Sequence, residues 1–105
     1  MKSNRDFSPR HEAKIQRNLV NAILTCRTPD ELRAFLVDLC TPAELQAMAD
    51  RWAVVECLRE GLPYREIRNI TGVSITTIGR VARYLATGAG GYSLVVKRLE
   101  NDTDE

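Results

Sequence analysis

The sequence predicts an all-α fold of about six helices with a helix-turn-helix toward its C-terminal side. Three observations predict it. Apolar residues recur every three or four positions along almost the whole chain. A Thr-Pro-x-Glu start signal occurs twice, at Thr28-Pro29-Asp30-Glu31 and Thr41-Pro42-Ala43-Glu44. Finally, Tyr64–Leu85, YREIRNITGVSITTIGRVARYL, divides into two short helical patterns on either side of a tight turn.

Taken in order, residues 1–10 are expected to be a flexible N-terminus ahead of one helical domain over 11–99. Ile15, Leu19, Ala22 and Ile23 mark one face of a first helix that ends near Cys26. Thr28 caps the second, with proline at its first position and Glu31 completing a capping box. Its apolar stripe is Leu32, Phe35, Leu36 and Leu39. The third helix starts at the repeated signal and runs to about Glu60, before Gly61. Leu45, Met48, Ala49, Trp52, Val55 and Leu58 form one stripe on it, while Ala53, Val54 and Cys57 extend apolar character around its circumference. So wide an apolar girth has to be covered on more than one side. A chain of a few thin helices struggles to do that alone. A homodimer joined through the N-terminal half is therefore expected, with Leu45, Met48, Trp52, Val55 and Leu58 as core or dimer contacts. Gly88-Ala89-Gly90-Gly91 reads as a helix stop and linker. Tyr92, Val95, Val96 and Leu99 define a short final helix, and the acidic tail 100–105 is expected to be disordered.

The helix-turn-helix is the segment with functional content. Tyr64–Ile70 and Ile75–Leu85 are the two helical patterns, separated by Thr71-Gly72-Val73-Ser74. Gly72 suits a residue that reverses the chain at positive φ. Ser74 offers a hydroxyl to the free N–H groups that open the second helix. Ile67, Val73, Ile78 and Val81 are spaced to share one small core. Ile75, Thr76, Thr77, Gly79, Arg80 and Arg83 are left outside, and small polar and basic side chains at the start of such a helix suit base edges in a major groove. The common form of the motif has a small residue one place after Ile67; here Arg68 stands there. The candidate DNA-binding set is Arg65, Arg68, Ser74, Ile75, Thr76, Thr77, Gly79, Arg80 and Arg83.

Charge is segregated in the same sense. Net charge is only +1, which supplies no global attraction to a polyanion. From Ile67 to Leu99, however, there are five basic residues (Arg68, Arg80, Arg83, Lys97, Arg98) and no acidic one. From Thr28 to Leu62 there are seven acidic residues against three basic. A basic zone confined to the reading head is the footprint of phosphate contact.

Other function classes find little support. No apolar run approaches the ~20 residues that cross a bilayer. The N-terminal MKSNRDFSPRHEAK lacks the apolar segment of a signal peptide, so a cytoplasmic location is expected. Cys26, Cys40 and Cys57 are widely spaced, form no CxxC pair, and are expected to be small buried or half-buried apolar residues. With His11 the single histidine, no metal site is expected. No nucleophile has a base beside it, and the 88–91 glycine run lacks both a following lysine and a preceding strand. Neither an enzyme nor a cofactor is expected.

The run LCTPAELQAMADRWAVVECLREGLPYREIRNITGVSITTIGRVARYL resembles the tryptophan-repressor superfamily, and within it the YerC/YecD-type branch. The resemblance covers about Leu39–Leu99. It rests on the TPxE start, on Arg51, on the YREI segment and on S-x-x-T-I-x-R. It implies an all-helical, intertwined homodimer that binds operator DNA. It also implies DNA contacts at Arg65, Arg68, Ile75, Thr76, Thr77 and Gly79. The threonine and two arginines that hold the indole amino acid in the family are matched by Thr41, Arg51 and Arg80. The family's glycine after the recognition-helix arginine is Val81 here, and its serine four places after that arginine is Tyr84. Both add bulk to the slot, so L-tryptophan is not the expected ligand. The possible effector pocket is Thr41, Arg51, Arg80 and Tyr84, with Tyr84 either filling it or bordering a different small molecule. Arg51 could equally pair with Glu56.

The leading expectation is thus a homodimeric, sequence-specific, double-stranded DNA-binding transcriptional regulator. A helical protein-interaction module, and a regulator sensing a different small ligand, are the alternatives.

Overall fold

The structure, a computed structural model, describes residues 7–104. Among them the chain forms six α-helices and no strand: α1 (Pro9–Leu24), α2 (Pro29–Leu39), α3 (Pro42–Arg59), α4 (Tyr64–Thr71), α5 (Ile75–Thr87) and α6 (Gly91–Asp104). Internal contacts divide the chain into two units, Met1–Pro42 and Ala43–Glu105.

In the first unit, both helices start on a hydroxyl cap followed by proline. Ser8 Oγ accepts the His11 N–H at 3.2 Å, and Thr28 Oγ1 accepts the Glu31 N–H at 3.1 Å. The Glu31 carboxylate reaches back one residue further than a capping box requires, accepting the Arg27 N–H at 2.7 Å. No described residue of this unit is buried. Ile15, Leu19, Val20 and Leu24 of α1, and Val37 and Leu39 of α2, are all exposed.

The second unit holds the core. Val54, Val55 and Cys57 of α3 meet Ile67 of α4 and Ile78 and Val81 of α5. Trp52, Leu58, Leu62, Val73, Leu85, Tyr92 and Val96 pack around them, partly buried. Gly61, at φ 78°, ends α3 in the left-handed conformation that glycine adopts without a Cβ clash. Besides Tyr92 and Val96 on this core, α6 is held by Ser93 Oγ, which donates to the Leu85 carbonyl at 3.3 Å, and by Glu100, which pairs with Arg59 of α3.

Two helix limits differ from the expectation. Helix α1 begins at Pro9, inside the segment read as flexible, because Ser8 caps it; residues 1–6 lie outside the described residues. Its end at Leu24, with Thr25 as the cap, is near Cys26 as expected. Helix α6 continues to Asp104 through the acidic tail, anchored by the Arg59–Glu100 pair; Glu105 lies outside the described residues. On α3 the burial sits in the C-terminal half. Of the five residues expected as core or dimer contacts, Val55 is buried within the single copy, Leu45, Trp52 and Leu58 are half-buried, and Met48 is exposed, because α4 and α5 pack at the far end of the helix. Cys26 and Cys40 are half-buried and Cys57 is buried, all as free thiols. No helix among the described residues is long and apolar enough to cross a membrane.

Candidate nucleic-acid interface

The turn between α4 and α5 is held by its own side chains. Thr71 Oγ1 donates to the Ile67 carbonyl at 2.8 Å and accepts the Val73 N–H at 3.1 Å. Gly72 stands at φ 75°, as its place in the turn predicts, and its N–H closes on the Arg68 carbonyl at 2.8 Å. The chain leaves the turn extended at Ser74, whose Oγ accepts the Thr77 N–H at 3.2 Å and donates to Thr77 Oγ1 at 3.1 Å. These bonds satisfy donors that open α5 and fix its direction.

Burial then fixes its rotation. Ile78 and Val81 are buried against Ile67, with Val73 half-buried beside them. With those two pointing inward, helical periodicity turns Thr76, Arg80 and Arg83 to the surface, and all three are exposed; Ile75, one turn before Ile78, is exposed at the first position of the helix. Thr77 and Gly79 are half-buried at the margin, while Ser74 is exposed. On α4, Arg65 and Arg68 are exposed as well. None of Arg65, Arg68, Arg80 and Arg83 has a carboxylate partner among the described residues. Four uncompensated guanidinium groups on one two-helix element can bind phosphate oxygens in one or two forks each. Two of them also rest on an aromatic face: the Arg80 and Arg83 guanidinium carbons lie 5.7 Å and 5.5 Å from the centre of the Tyr84 ring. That contact limits how far the two cations can swing.

Behind this edge lies a cleft of about 420 Å³ lined by Arg51, Thr77, Arg80, Val81, Tyr84 and Tyr92. The structure thereby brings together three of the four residues expected around an effector pocket. Thr41, the fourth, is exposed and belongs to the first unit. Tyr84 borders the cleft without filling it and remains exposed. Arg51 makes no ion pair with Glu56 or with any other described residue. An apolar trough of about 540 Å³ continues from the cleft along Trp52, Tyr84, Ala89, Gly91, Tyr92 and Val95. Sequence reasoning missed Tyr92 as a cleft residue. Its place in the apolar stripe of α6 was visible, but not the neighbour it meets.

The family model of the Trp repressor protein matches residues 14–100. The uncharacterized protein YerC of Bacillus subtilis (strain 168) is 39% identical over 87 residues, covering 83% of this chain and 84% of that protein. A TrpR-like protein from Eubacterium eligens ATCC 27750 superposes with a TM-score of 0.79 at 38% identity, over 83% of this chain and 90% of its own. A Staphylococcus aureus protein described as a Trp repressor candidate does so at 0.78 and 33%, over 83% and 87%. With its six helices, its helix-turn-helix and these matches, the chain belongs to the Trp repressor family, a membership that implies a helical DNA-binding regulator.

Proposed function

We propose that this protein is a homodimeric transcriptional regulator that reads duplex DNA with the exposed edge of α5 and does not respond to L-tryptophan. The observation that carries the reading is the division of α5 into a buried side, Ile78 and Val81, and an open side, Ile75, Thr76, Arg80 and Arg83. Thr76 can bond a base edge or a phosphate, Ile75 can touch a thymine methyl, and the arginines of both helices hold the backbone.

Dimerisation is supported by what the chain leaves uncovered. The apolar residues of α1, those at the end of α2, and Met48 on α3 are exposed in a single copy. A second copy can bury them. Two reading heads about 34 Å apart then meet successive major-groove turns. The binding site should accordingly have two-fold symmetry. Selection from a pool of random duplexes tests this: enrichment of a symmetric pair of half-sites is expected, and recovery of unselected sequence contradicts it.

The cleft at Arg51 and Arg80 favours a second reading, regulation by another small molecule. Among the described residues its lining carries two guanidinium groups and no carboxylate, which suits an anion. A shift in DNA affinity on adding small carboxylates would support that reading.

A further inference from the structure

Tyr64 opens α4, and its ring lies beside Gly79 of α5. A β-carbon at position 79 would stand 3.9 Å from Tyr64 Cε2, an ordinary van der Waals distance. The ring thus sits against a stretch of α5 that glycine leaves without a side chain. Tyr64 is nevertheless 40% exposed, and its hydroxyl has no hydrogen-bond partner among the described residues. It stands next to Arg65 and one helical turn before Arg68, both exposed cations. On the facing helix, Gly79 comes one turn after the exposed Ile75 and immediately before Arg80.

The ring is partly covered, and its oxygen has no partner among the described residues. Its own helix carries two exposed cations, Arg65 and Arg68, and one exposed carboxylate, Glu66. A tyrosine has only two side-chain torsions, and contact with a second helix restrains them, so its hydroxyl is presented with little further loss of freedom. The first helix of a helix-turn-helix crosses the DNA backbone, and tyrosine hydroxyls are among the groups that bond phosphate oxygens there.

Resting on the regulator reading above, we propose that Tyr64 is a DNA-contact residue. Its hydroxyl donates to a backbone phosphate oxygen, and its ring is held against α5 at Gly79. Side-chain size at position 79 and the hydroxyl at position 64 therefore act as one device.

The test is the affinity for a fluorescently labelled duplex, read by anisotropy over a series of salt concentrations. Tyr64→Phe should weaken binding about tenfold, as expected for a hydrogen bond to a charged acceptor. The dependence on salt should stay as in the parent, because a neutral side chain displaces no counterion. Gly79→Leu should weaken binding by displacing the ring, and adding Tyr64→Phe to it should cost nothing more. Parent-like binding by Tyr64→Phe, alongside weakened and less salt-sensitive binding by Arg68→Ala, would overturn this inference and leave the regulator reading standing. A parent chain that binds no duplex at any salt concentration would overturn both.

Discussion

The rings of Trp52 and Tyr92 stand 6.3 Å apart, tilted by 43°, and their contact joins α3 to the first turn of α6. Tyr92 also walls the cleft that Arg80 and Val81 of α5 border, so one aromatic pair supports both the C-terminal helix and the back of the reading head. Trp52 is the chain's single tryptophan, which makes its fluorescence a local reporter. Tyr92→Ala should shift that emission to the red and lower stability by about 2 kcal/mol, from lost packing and the lost aromatic contact. Unchanged emission would show that α6 is held some other way.

The buried thiol supplies a second prediction. Burial pushes the Cys57 thiol above its ordinary range, and the carboxylates of Glu60, Glu56 and Glu66 push it the same way. The folded chain therefore holds this proton more tightly than the unfolded one. The resulting stabilisation is whole below the ordinary thiol range and is lost as pH rises through the raised value. A thiol reagent at mildly alkaline pH should modify the half-buried Cys26 and Cys40 first and reach Cys57 only on unfolding or at higher pH. Equal rates at all three would contradict this.

The helix-turn-helix was legible because everything that makes it is local. Gly72, the Ser74 cap and the spacing of Ile67, Ile78 and Val81 act within a few turns of chain. The start of α1 was legible too, since Ser8-Pro9 has the same hydroxyl-then-proline form as Thr28-Pro29, but without a glutamate three places on the signal went unread. The end of α6 was not. Acidic residues in a last turn oppose the helix dipole, and the compensating contact comes from Arg59, 41 positions away. Contacts of that separation, like Trp52 with Tyr92, leave no periodic trace. The stripe on α3 was read correctly as apolar, but which half would be covered depended on where α4 and α5 settle.

Ligand specificity gives a third prediction. Val81 is buried in the cleft wall and Tyr84 stands at its border; the resemblance implies a glycine and a serine at these two positions of the family's slot. No acidic side chain among the described residues lines the cleft to pair with an ammonium group between Arg51 and Arg80. Isothermal titration with L-tryptophan should give no binding heat, and a saturable signal at physiological concentrations would refute this.

The most direct measurement is the binding of duplex DNA by the intact chain and by Arg83→Glu, compared across salt concentrations. Arg83 is exposed on α5 and has no acidic partner to lose, so the variant should keep its fold while reversing a charge on the reading edge. The expected result is tight, salt-sensitive binding by the parent, with affinity lowered at least tenfold and a shallower salt dependence in the variant. Equal affinity of the two proteins for every duplex tested would contradict the account.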